Sequence, residues 1–183
     1  MPEGWLGPEL ILRAQSGDVP AFDALITARL PQMTRTAMAI LGHEADARDA
    51  VAETIAAVWR ELPRLRDVGA FDAWSQRILV HACRRTLRHR GRARVREVGV
   101  EAASTVATGR GSGSPDDVAR REALERAFDR LDADDRALLV LHHLEGRSLA
   151  DLAAVLDIPV GTAKSRLHHA RKALERSLAR EDR

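Results

Sequence analysis

The segment Ser148–Arg171, SLADLAAVLDIPVGTAKSRLHHAR, decides how the rest of this chain is read. Ser148 stands as an N-cap with Asp151 three residues on, a capping-box variant that satisfies the first free N–H groups of a helix. Leu149, Leu152, Ala153 and Leu156 follow at helical spacing and form an apolar stripe. Asp157-Ile158-Pro159 ends the run, because proline lacks a donor and disfavours helix in the residue before it. A second helix restarts near Val160, with Val160, Ala163, Leu167, Ala170 and Leu174 predicted on its inner side. Thr162, Ser165, Arg166, His168, His169 and Lys172 are left facing outward, with Lys164 and Arg171 at the edges. Two short helices with a cationic second face describe a helix-turn-helix, whose second helix enters the major groove of DNA. The spacing alone also fits an ordinary helical hairpin with a solvated basic face.

Upstream, helical periodicity continues and strand-like alternation is absent. Helices are predicted over Glu9–Ser16, Ala21–Leu30, Gln32–Leu41, Ala45–Leu62 and Phe71–Arg90, with Pro20, Pro31 and Pro63 as punctuation and Gly17 and Gly42 as C-terminal stops. Ser114-Pro115-Asp116-Asp117 opens a second block with proline at the first helical position. Leu124, Phe128 and Leu131 mark its first apolar stripe, Leu138 and Leu141 the next, and Gly146 a stop. Between the blocks, residues 91–114 are rich in Gly, Ser, Thr, Ala and Arg and too poor in large apolar groups to offset the entropy of ordering. A flexible coil of about 24 residues spans roughly 25–30 Å on average and on the order of 80 Å stretched. The expected fold is therefore all-α: two small helical domains, 8–90 and 115–180, joined by a flexible linker over 91–114, with the helix-turn-helix in the second. Such a tether lets two modules sit at separate places on one long partner.

The 183 residues carry 29 Lys and Arg against 27 Asp and Glu, so total charge decides little and its placement matters. On the helix from Ala45, the carboxylates Asp46, Asp49 and Glu53 share one face, opposite Val51, Ile55, Val58 and Leu62. On the next helix, Arg77, His81, Arg84, Arg85 and Arg88 form a basic stripe that continues into Arg90, Arg92 and Arg94. Cations along a backbone with aromatics beside them suit single-stranded nucleic acid. Phe71 and Trp74, at helical spacing with Ile78 and Ala82, also fit a core.

The composition excludes several other classes. Cys83 is the one cysteine, which rules out an intramolecular disulfide and a multi-cysteine zinc site. Adjacent helical residues point about 100° apart, so neither His142-His143 nor His168-His169 ligates a metal as a pair. Catalytic motifs of hydrolases, zinc proteases and phosphate-binding loops are absent from the sequence. No metal, cofactor or catalytic residue is expected. The N-terminal MPEGWLGPEL lacks the pattern of a signal peptide, and no apolar run suits a membrane span. The expectation is a cytoplasmic protein without membrane insertion.

Two sets of residues then converge. Asp49-Ala50-Val51-Ala52-Glu53-Thr54, Trp59, Phe71-Asp72-Ala73-Trp74 and Arg77-Ile78 resemble region 2 of bacterial sigma factors. Gly161–Arg171 resembles their region 4 recognition helix. The order of motifs and the soft segment between them are similar to the minimal, extracytoplasmic-function type. The resemblance implies a factor that directs core RNA polymerase to promoters and helps melt the −10 region. It implies that Asp46, Asp49 and Glu53 dock on the β′ clamp helices, and that the C-terminal domain meets the β flap. It further implies that the loop Arg64–Ala70, with Arg64 and Arg66, captures a flipped −10 base. Trp74, Arg77, His81, Arg84, Arg85 and Arg88 then hold the opened strand. Thr162, Lys164, Ser165, Arg166, His168 and His169 read the −35 duplex, with Arg171 near phosphate. An anti-sigma factor is the regulatory partner that the family implies. Ala52 stands where the family usually has Gln, His81 and Arg85 where Asn and Asp are common, and His169 where Arg is usual; the promoter preference does not carry over through those positions. An autonomous helix-turn-helix regulator is the alternative reading.

Overall fold

The computed structural model describes residues 7–96 and 114–181, whose regular elements are all helical, without strands. The first half comprises α1 (Pro8–Gln15), α2 (Val19–Leu41), α3 (Glu44–Glu61) and α4 (Phe71–Arg96). The second comprises α5 (Pro115–Asp129), α6 (Ala133–Leu139), α7 (Leu149–Leu156) and α8 (Val160–Glu181). Most of the expected linker and the first six residues lie outside the described residues, as do the side chains of Arg92 and Arg94.

The predicted caps form. Ser148 Oγ accepts from the Asp151 N–H at 3.2 Å while the Asp151 carboxylate accepts from the Ser148 N–H at 3.0 Å. Ser114 and Asp117 build the same box on α5. Gly17, Gly42 and Gly146 all take positive φ, the conformation that ends a helix at least cost for glycine. Asp157 does so too, at φ 56°, so α7 is turned by a left-handed Asp as much as by Pro159.

Pro31 does not break its helix. Residues 19–41 form one rod with Pro31 inside it. Leu25 and Ile26 before the proline, and Met33, Ala37 and Ile40 after it, are all buried. Burying those side chains outweighs the roughly 3 kcal/mol that an interior proline costs. The carbonyl left without its donor belongs to the exposed Thr27, four residues back.

A larger departure concerns the two halves. They do not stand apart but share one apolar core, in which Met33, Ile40, Leu79 and Val80 of the first half cluster with Leu138, Leu141, Leu152 and Val155 of the second. Helix α4 packs on α6 and α7, and α2 packs on α6 and the π-helical turn Val140–Leu144. A second cluster, with Phe22, Leu25, Val58 and Phe71, belongs to the first half alone. Two apolar expectations also fail: Val160 is 50% exposed and Leu124 46%. Val160 is the first residue of α8 and projects beyond its packed face. Leu124 lines an open apolar groove with Met38, Phe128, Leu174 and Leu178.

Replacing Pro31 with Ala restores an N–H facing the Thr27 carbonyl. After the looser unfolded chain is set against that gain, Pro31→Ala is expected to stabilise the fold by about 1–2 kcal/mol. Denaturant midpoints with unchanged slopes check this.

Candidate nucleic-acid interface

Helix α8 buries Ala163, Leu167 and Ala170 and turns the residues between them outward. Lys164, Ser165, Arg166, His168, His169 and Arg171 are exposed, and Thr162 is half-buried. Ser165 Oγ donates to the Thr162 carbonyl at 3.0 Å, which holds that hydroxyl against its own helix. Lys164 and Arg166 form no ion pair among the described residues. Arg171 is oriented by His143, with Nε donating to Nε2 at 3.3 Å. His169 lies close enough to Asp135 for its charge to oppose the upward push that burial, Asp132 and Asp134 exert on that carboxyl.

The α4 stripe differs in character. Arg84 Nε sits 2.5 Å from Asp134 Oδ1, and Arg88 shares the same oxygen at 3.7 Å. Arg77 Nη2 donates to the Ala154 carbonyl at 2.5 Å and approaches Asp157 at 3.6 Å. Those three arginines all reach into the second half. Arg85 pairs with Glu53 and Arg90 with Asp46, the latter at 2.6 Å. Two of the three carboxylates on the acidic face of α3 are therefore tied to α4, and Asp49 remains exposed without an ion pair among the described residues. Phe71 is core, 1% exposed. Trp74 is half-buried against it, ring centroids 6.0 Å apart.

The connection from α3 to α4 consists of two single 3-10 turns, Leu62–Arg64 and Val68–Ala70. Gln15 pins it from α1, its amide donating to the Leu62 carbonyl at 3.0 Å and to the Leu65 carbonyl at 2.7 Å. Asp67 caps the second turn through the Gly69 N–H at 2.9 Å. Arg64 and Arg66 are left exposed on a fixed loop.

Comparison with known proteins follows this division. The model for sigma-70 region 2 matches residues 25–93, and that for sigma-70 region 4 matches residues 121–174. An extracytoplasmic-function (ECF) RNA polymerase sigma-E factor of Haemophilus influenzae is 30% identical over 97% of this chain and 98% of its own. The chain belongs to the ECF family of RNA polymerase sigma factors. The sigma-H factor of Pseudomonas aeruginosa is 29% identical, covering 93% of this chain and 92% of its own. Among solved structures, the sigma factor RpoE of Bartonella quintana, in complex with the anti-sigma factor NepR, superposes with a TM-score of 0.67. It is 28% identical and covers 88% of this chain and 98% of its own. Membership in a family of transcription initiation factors sets aside the autonomous regulator. Among the described residues, no helix of this sigma factor is long and apolar enough to cross a membrane.

Sequence reasoning missed the polar residues that join the halves. Glu145, whose side chain is 1% exposed, accepts from Gln32 Nε2 at 2.5 Å and Thr36 Oγ1 at 2.8 Å. Buried Arg136 donates to the Ile40 carbonyl at 3.4 Å, and Arg147 donates to Gln76 Oε1 at 2.7 Å. One signal was present: Gln32 and Thr36 lie four apart on one face of α2, beside the apolar Met33, Ala37 and Ile40. Their partner, 109 residues from Thr36, was not legible from local pattern.

Two imidazoles in these surfaces resist protonation. Burial is the larger cause for both, followed at His81 by the charges of Arg84, Arg77 and Arg88 and at His143 by those of Arg171 and His142. Each folded-state pKa lies below the ordinary 6.5. As pH falls through that value the unfolded chain takes up protons first, so stability declines. Stability measured by denaturation is expected to drop from about pH 7.5 to about pH 5.5. His81→Gln and His143→Gln should each flatten the decline.

Proposed function

We propose that this sigma factor reads the −35 element through α8 and holds the opened −10 strand along α4, acting without catalysis of its own. The observation that carries this reading is the exposed row Lys164, Ser165, Arg166 and His168 over a buried Ala163–Leu167–Ala170 seam. The seam anchors the helix, and the row presents hydrogen-bond donors at the spacing that base edges and phosphates require. Thr162, His169 and Arg171 flank it. The halves 8–90 and 115–180 serve as the region 2 and region 4 domains, with 91–114 connecting them.

In this reading Arg64 and Arg66 lie beside the captured −10 base, and Trp74, Arg77, His81, Arg84, Arg85 and Arg88 follow the displaced strand. The fixed loop supports the first assignment, since a flipped base costs a few kcal/mol of stacking that a preformed pocket offsets. Asp46, Asp49 and Glu53 dock on the β′ clamp helices, Asp49 without an ion pair among the described residues. The β flap meets the second half. The protein works in the cytoplasm, and an anti-sigma factor restrains it, as the complex of the related Bartonella quintana protein suggests.

Transcription from a promoter library with core polymerase tests the assignment directly. Arg166→Ala is expected to weaken use of the preferred −35 sequence by about 1–3 kcal/mol while sparing mismatched ones. An equal loss on every sequence would demote Arg166 to a phosphate contact. No promoter-dependent transcript from the wild type would overturn the reading.

A further inference from the structure

An open apolar groove is built from three helices: Met38 of α2 stands on one wall, Leu124 and Phe128 of α5 on another, and Leu174 and Leu178 of α8 on the third. Leu144, at the end of the π-helical turn, completes the lining. Leu124 and Leu144 are 46% and 49% exposed. Large apolar side chains left open to water side by side mark a binding surface. The groove encloses about 620 Å³, within the roughly 300–1,000 Å³ of small-molecule sites.

The charged residues around it are not equivalent. Arg136 pairs with Asp129 at 3.0 Å and donates to the Ile40 carbonyl. Arg171 lines the groove without an ion pair among the described residues. Its Nε donates to His143 Nε2 at 3.3 Å, and that acceptor is held toward its neutral form first by burial, then by the charges of Arg171 and His142. The bond leaves both Nη groups as a fork, which matches the two oxygens of a carboxylate. Glu125 and Glu175 also line the groove, and their charge favours a monoanion over a phosphate dianion.

We propose that this groove binds a free fatty acid, with the alkyl chain along the leucines and the carboxylate on Arg171. From Arg171 to Leu178, α8 runs about 10 Å, so a short acid leaves much of the lining uncovered. The occupant touches α2 of the first half and α5 and α8 of the second, contacts that exist only in the folded chain, and bound acid therefore raises the melting temperature. Promoter-dependent transcription stands or falls independently of this assignment.

The test titrates the full chain with cis-parinaric acid, whose fluorescence rises in apolar surroundings, at submicellar concentration. One saturable site per chain is expected, with displacement by dodecanoate and not by butanoate. Arg171→Gln should weaken dodecanoate about tenfold while leaving 1-dodecanol, which lacks the charge, unaffected. Leu124→Asp puts a carboxylate at an exposed lining position and should abolish uptake, with circular dichroism checking that the helices remain. Leu12→Asp, at a comparably exposed position on α1, should leave uptake unchanged. No saturable uptake by the wild type, or uptake that survives Leu124→Asp, overturns the proposal. An equal effect of Arg171→Gln on acid and alcohol, including none, overturns the place of the carboxylate on Arg171. A dimer seen by light scattering, which Leu124→Asp dissociates and dodecanoate does not, gives the groove to a second copy of the chain and overturns the proposal as well.

Discussion

The carboxylate of Glu145, shut away from water between α2 and the turn after α6, is the constraint on which the packing of the two halves depends. A polar group at 1% exposure is tolerable only where donors meet it. Gln32 and Thr36 supply them from a helix more than a hundred residues earlier. Once that pairing is made, the end of α6 is held against α2. Arg136 then reaches the Ile40 carbonyl, Asp134 faces Arg84 and Arg88, and α7 closes on Arg77. The apolar contacts in the same interface give attraction but little direction. The polar ones choose the register.

This architecture places one chain's positive charge in two different environments. The face of α8 is solvated. The face of α4 is neutralised by acids from both halves: Glu53 and Asp46 within the first, Asp134 and Asp157 from the second. A net formal charge of +2 conceals this arrangement, because a sum over the chain does not record which acid faces which base. The depressed pKa of His81 comes first from burial and then from the same crowding, since an additional proton there would face three arginines.

Particular elements show how far local pattern reaches. Both capping boxes, the glycine stops at 17, 42 and 146, and the buried seam of α8 follow from side-chain chemistry within a turn or two. The exposed face of α8 was legible for that reason: a helix with a small apolar seam must present its remaining residues outward. Pro31 shows the reverse. Local preference placed a break there, and burial of Leu25, Met33 and Ile40 on one continuous rod overrode it. Leu124 and Val160 are apolar by sequence yet exposed, because periodicity tells which residues share a face but not whether a neighbour covers it.

By itself the sequence determined the helices other than the continuous rod through Pro31, their order, the acidic and basic stripes and the helix-turn-helix, because each depends on residues at most a few turns apart. Only the tertiary structure decided that the halves share a core, that Asp134 and Glu145 bridge them, and that the arginines of α4 already have partners. Those outcomes depend on which surfaces meet across more than a hundred residues of chain, and no periodicity along the sequence encodes that meeting.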